Sequence, residues 1–258
     1  MSDLRLVLTQ TGYQLISVAR NRRAVVFSLV FPVVLLVMFN SVFVKGTDTV
    51  DLAGVTIDGR TYFTASMLAY AILLAGFNSL AISLVMQREG GQLKRMRGTP
   101  VPAWTFMVAT VLRCVATVGL MTVVVLAIGH FAYDVQISGQ AFGDVLLYVV
   151  LGIAAMCSAG IAATALIPDV DSASAALPLI AVVLSLISGI FVAVDQLPTW
   201  LADVARVFPV YHLTTGLQTA LGGAPLDAGN ATTLALWGLA GIVVAARRFR
   251  WEPQGVPA

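Results

Sequence analysis

The chain has 258 residues, of which 59% are hydrophobic and 11% charged, and its mean hydropathy is +0.91. These values exclude the disordered, collagen-like and disulfide-scaffold classes, which need low apolar content, a glycine period or dense cysteine; the 22 glycines here have no period, and Cys114 and Cys157 lie inside apolar runs. The composition is that of an integral membrane protein, and the net charge of +2 forms no basic stripe on a soluble face of the kind nucleic acid requires.

In chain order, Leu4, Leu8, Leu15 and Val18 recur near helical spacing with Val7 beside them, while Asp3, Arg5, Gln10 and Gln14 lie elsewhere on the wheel. This pattern predicts a helix over residues 1–23 lying in a membrane interface, either as an anchor that positions Arg20, Arg22 and Arg23 or as a grip for a partner. A bilayer core needs roughly 20 apolar residues in a helix. Runs of about that length extend over Ala24–Phe43, Tyr62–Met86, Cys114–Tyr133 (or from Phe106 if Arg113 is tolerated), Val145–Pro168, Ser172–Val194 and Ala228–Ala246. The predicted fold is therefore all-α and polytopic, one transmembrane domain over 1–258 with six spans. The first run is expected to stay in the protein, because it is followed by Val42-Phe43-Val44-Lys45 and not by a small-x-small cleavage site.

Val207–Leu226 is also free of charge, but Pro209, His212, Thr214, Thr215, Gln218, Gly222, Gly223 and Pro225 make it too polar and broken to face lipid. It belongs to an outer segment, 195–227, with two readings: a re-entrant gate that dips into the membrane against protein, or a surface helix that caps the bundle. With six spans, Arg5, Arg20, Arg22, Arg23, Arg88, Lys94, Arg95, Arg97, Arg247, Arg248 and Arg250 share one side. That side is cytoplasmic by the positive-inside rule, and both termini lie there.

Between the second and third spans, 87–104 reads as a short polar helix between hinges. Gly90 and Gly91 turn the chain, Leu93 and Met96 fall three apart on one face, and Pro100 and Pro102 end the helix. Its basic residues either present a surface to a soluble partner or only hold the orientation. Small residues at Gly152, Ala155, Ala159, Gly160, Ala163, Gly238 and Gly241 predict close helix packing.

Catalytic and metal signatures are missing: nothing matches GxxxxGK[ST], GxSxG or HExxH, so no catalytic, cofactor-binding or metal residue is assigned and the chain is not expected to be an enzyme. His130 and His212 stand alone and read as packing or interfacial residues. Asp169 and Asp171 read as helix caps before the fifth span. No span interior holds Asp or Glu, which argues against ion-driven transport. Arg113, the one embedded charge, has two readings, a side chain snorkelling at the cytoplasmic mouth or a counter-charge for substrate.

The run Arg88-Glu89-Gly90-Gly91-Gln92-Leu93-Lys94-Arg95-Met96-Arg97-Gly98-Thr99-Pro100, the Arg20-Asn21-Arg22 helix end, and the late Ser188-Gly189-Ile190-Phe191, Leu197-Pro198-Thr199-Trp200-Leu201 and Phe208-Pro209-Val210-Tyr211 segments resemble the membrane subunits of type-2 ABC exporters, the family of daunorubicin-resistance permeases and polysaccharide exporters. The resemblance implies a multi-pass protein of the bacterial plasma membrane that exports an amphiphile such as a drug, lipid or glycolipid. It also implies two separate ATPase subunits, which bind the ATP and Mg, and a second permease chain forming a homo- or heterodimer. By the same resemblance, Arg88, Glu89, Gly90, Gly91, Leu93, Arg95, Arg97 and Pro100 form the ATPase-coupling loop, with Arg88 and Glu89 as contacts. Gly189, Leu197, Pro198, Trp200, Pro209 and Tyr211 belong to the outer gate. The sequence departs from relatives that carry proline soon after the Gly-Ile-Phe run, reading Val192-Ala193-Val194-Asp195. A reading from another class is a non-transporting membrane scaffold or immunity protein that anchors a cytoplasmic partner.

Overall fold

Lipid offers a backbone no hydrogen-bond partner, so a chain this apolar satisfies its amides within helices. The computed structural model describes residues 3–20, 22–44, 48–52, 54–98 and 102–248. Helix α1 (Asp3–Arg20) lies along α6 (Ala103–Tyr133), to which Gln14 Nε2 donates at Thr110 Oγ1 over 3.2 Å. Val7 is buried and Leu15 and Val18 half-buried, whereas Leu4, Leu8, Tyr13 and Ile16 are exposed, leaving an apolar edge for lipid. Helix α2 (Arg22–Phe43) packs on α3 (Gly59–Leu73), and its Asn40 amide donates to its own Leu36 carbonyl.

Helix α3 continues through a π-helical turn (Leu74–Ser79) into α4 (Leu80–Glu89), giving one 31-residue rod. At 1.5 Å per residue it is about 46 Å long and protrudes beyond a core of about 30 Å. The π turn lies where α7 (Gly139–Ala163) comes closest: a Cβ on Gly160 would stand 2.9 Å from the Gly76 and Phe77 carbonyl oxygens. Farther along, Gly238 of α11 (Ala228–Arg248) lies against Ala154 and Ala155 of α7, and Gly241 against Ser158. The small residues of the fourth and sixth runs are thus two halves of one seam.

Among the described residues, five helical stretches are long and apolar enough to cross a membrane: Gly59–Glu89, Trp104–Tyr133, Gly139–Ala163, Val170–Ile187 (α8) and Ala228–Ala245. Helix α2 adds a shorter apolar stretch, Val30–Phe43, so all six expected spans are occupied by helix.

Several boundaries differ from those read in the sequence. The third span is the longer of its two readings, starting at Ala103, so Arg113 lies inside the helix. The fourth starts at Gly139, where the Ser138 hydroxyl caps the Ala141 amide, and ends at Ala163, five residues before Pro168. The fifth stops at Ile187, short of Val194, because Gly189 adopts φ +81°, outside helical space. The chain is also not purely helical. Thr49–Leu52 (β1) pairs antiparallel with Val55–Asp58 (β2) around Gly54 at φ +81°, and Leu52 and Ile57 are buried with Tyr62 and Ala193. The hairpin had no clear signal, since each strand is only four residues long.

Candidate functional site

Two sites stand at opposite ends of the Gly59–Glu89 rod. At its basic end, Gly90 and Gly91 leave α4, Gly91 takes φ +68°, and α5 (Gln92–Arg97) follows. Leu93 is fully buried and Met96 packs beside it against the main core, so α5 is seated by its apolar face. Its other face exposes Gln92, Lys94 and Arg95; the Arg95 guanidinium donates back to the Gly90 and Gly91 carbonyls at 3.2 and 3.4 Å and stiffens the hinge. Pro100 lies outside the described residues, as does the side chain of Arg97.

The expectation that Arg88 contacts a partner is corrected by its burial: the residue is 2% exposed. Nη1 donates to the Thr164 carbonyl at 2.9 Å, and Nη2 to those of Ile167 and Pro168 at 2.7 and 2.9 Å. Nε pairs with Glu89 Oε1 at 2.9 Å. A planar guanidinium with five donors suits carbonyls that the end of α7 leaves without helical partners. Arg88 therefore ties the rod to the turn between α7 and α8, and the accessible face of α5 is the part available for docking. In the same turn Asp169 caps α8: its carboxylate accepts the Ser172 amide at 2.7 Å and the Ser172 hydroxyl at 3.1 Å. These bonds, the amide first, hold its carboxyl below the usual carboxylate range.

At the acidic end, 195–227 folds as two helices joined by a tight reversal. After Gly189 the chain runs through a 3₁₀ turn (Val194–Gln196) and α9 (Thr199–Ala205), then reverses into α10 (Pro209–Leu221). At the reversal Val207 is exposed, and the Trp237 indole, nine residues into α11, donates to its carbonyl at 3.2 Å. From there α10 climbs past Gly152, which receives Leu213, and past Tyr148, whose ring lies where a Cβ of Gly216 would stand, to Gly222 beside Ile57 of the hairpin. Pro209 opens α10 at a position whose amide needs no helical partner, and most of the helix is buried.

The polar residues that made 207–226 unfit for lipid find partners here. Gln218 Nε2 donates to Ser66 Oγ at 2.8 Å and to the Gly189 carbonyl at 3.0 Å, and the Tyr62 hydroxyl donates to the same carbonyl at 2.6 Å. Phe191 stacks on Phe39 of α2 and edges against Tyr70 of α3, with ring centroids 5.6 and 5.3 Å apart. His212 meets Asn230 Oδ1 at 2.6 Å and the Arg206 carbonyl at 2.9 Å, which makes it a joint at the reversal. His130 bonds locally to the Val135 carbonyl.

Of the expected gate residues, Gly189 joins this polar knot, Pro209 starts α10 with Tyr211 half-buried in its first turn, and Leu197 and Pro198 lead into α9, whose Trp200 is exposed. Tyr62, Ser66 and Gln218 were missed. Their signal was available, since a glutamine inside an apolar run requires a buried partner, but which span supplies it is a tertiary fact.

Residues 5–221 match the family described as ABC-2 type transporter, and the chain belongs to that family. It is similar to the probable multidrug ABC transporter permease YbhR of Escherichia coli K12, 21% identical over 158 residues that make up 61% of this chain and 43% of that protein. It is also similar to the putative transport permease YvfS of Bacillus subtilis 168, 22% identical over 209 residues, 81% of this chain and 82% of that one. The chain thus spans less than half the length of YbhR.

Proposed function

We propose that this chain is the membrane permease subunit of an ATP-driven exporter, which carries an amphiphilic cargo outward by alternating access. The supporting observation is the rod itself. Its basic end leads through the Gly90–Gly91 hinge into an exposed, seated polar helix, and its far end bonds through Tyr62 and Ser66 to Gly189 and Gln218. A push on α5 has a stiff route to the gate along α3 and α4. Arg88 joins a second route, because the turn it holds begins α8, whose other end is Gly189. ATP and Mg then belong to two ATPase subunits docked at the basic, cytoplasmic end, and a second permease chain completes the passage.

The test is co-purification with the ATPase and reconstitution in liposomes. Reversing charge on the exposed face (Lys94→Glu with Arg95→Glu) is expected to cut permease-stimulated ATP hydrolysis at least fivefold with membrane insertion intact. Unchanged stimulation overturns the coupling role. Trp200→Ala with Pro209→Ala is expected to abolish efflux, whereas a scaffold that merely recruits its partner would keep its full phenotype.

A further inference from the structure

A cavity of about 910 Å³ opens in the basic half of the molecule between α1, α2, the π turn, α4 and α6. This volume falls within the usual range for ligand pockets. Its lining is graded. Gln14, Ser17, Gln87 and Gln92 stand toward the basic end, and Phe31, Leu74 and Met121 line the deeper part.

Arg113 lies on the wall, ten residues into α6 and so about 15 Å from its start. Its guanidinium has no hydrogen-bond or ion-pair partner among the described residues, and no acid lines the cavity among them. A guanidinium in a span is costly unless it is matched by an anion or water. The lining residue Asn78 belongs to the π turn, an irregularity that recurs at functional sites. The wall therefore offers an unmatched cation and an apolar floor running toward mid-membrane.

We infer that this cavity binds the head group of an anionic amphiphile drawn from the inner leaflet, with Arg113 holding the anion and the acyl chain lying along Phe31, Leu74 and Met121. A fork of donors on a phosphate or carboxylate is a strong, orienting contact. The inference gives the proposed exporter a class of cargo and rests on that reading for the word cargo. The binding itself is measured on the permease chain without any ATPase, so its failure and that of the coupling test are separate results.

The full chain, delipidated in detergent, is titrated with dioleoyl phosphatidylglycerol or dioleoyl phosphatidylcholine, and bound lipid is counted by native mass spectrometry. Phosphatidylglycerol is expected to bind about tenfold more tightly, Arg113→Gln to remove most of that preference, and Arg113→Lys to keep part of it. Ala75→Phe fills the deeper wall while leaving Arg113 in place, and is expected to abolish binding in a monodisperse protein, which covers the case where Arg113→Gln misfolds. Equal binding of the two lipids, an unchanged Arg113→Gln, or retained binding in Ala75→Phe overturns the proposal. Glycerol 3-phosphate separates lipid from free head group: weak competition supports an amphiphile site, and displacement at concentrations similar to the lipid's overturns it.

Discussion

Arg88 illustrates how a basic residue in a polar loop is easily misassigned. Read along the chain, it belongs to a cationic surface; in space it is a buried clamp on three carbonyls. Removing it would leave those buried carbonyls short of a donor. Arg88→Gln is therefore expected to cost about 2–4 kcal/mol, read as a fall in the apparent melting temperature of the solubilised protein, and Arg88→Lys to recover only part, because an ammonium cannot span the same fork. Asp169 makes a prediction in pH. Its carboxyl titrates below the ordinary value of 3.8 because the folded state bonds the ionised form. The cap is therefore at full strength above that value and is lost only as pH falls through the lower folded pKa. The melting difference between wild type and Asp169→Ala should hold steady from pH 8 to about pH 4 and shrink below it; a difference that fades near pH 6 would contradict the assignment.

Among the elements, the pair α9 and α10 depends on close approach. Gly216 faces the Tyr148 ring, and the Tyr148 hydroxyl donates to the Asp227 carbonyl at 2.9 Å just before α11. Gly216→Ala would push α10 off α7 or swing Tyr148 from that bond, at an expected cost of about 1–3 kcal/mol by thermal unfolding. Gln218→Leu removes the shared donor to Ser66 and Gly189. Exchanging a hydrogen bond for an apolar group inside a membrane bundle costs about 1 kcal/mol, so its main expected effect is on gating, seen as efflux lost with near-normal melting. Pattern reading gave these elements half their description. The polarity of 207–226 said that it could not face lipid, which both a dip and a surface cap satisfy; which helices cover it, α3, α7 and α11 around α10, is a tertiary fact.

For the whole molecule, the charge distribution predicts orientation. Single cysteines replacing Lys94 and Asp51 should react with an impermeant thiol reagent from opposite faces, Asp51→Cys in intact cells and Lys94→Cys only in inverted vesicles. Labelling of both from one face would overturn the topology.

The amino-acid sequence alone determined that this protein lives in lipid, which runs cross it and which end is basic, because these follow from local hydrophobicity and charge along about 20 residues at a time. It also marked α5 by its flanking glycines and the α7–α11 seam by its small residues. Only the tertiary structure decided that Arg88 faces inward, that Gln218 meets Ser66 and Gly189, and that Arg113 borders a cavity lined by no acid among the described residues. The physical reason is distance along the chain. Arg88 bonds residues 76 to 80 positions away and Gln218 reaches Ser66 across 152, and no local pattern encodes which polar group in one span will satisfy another.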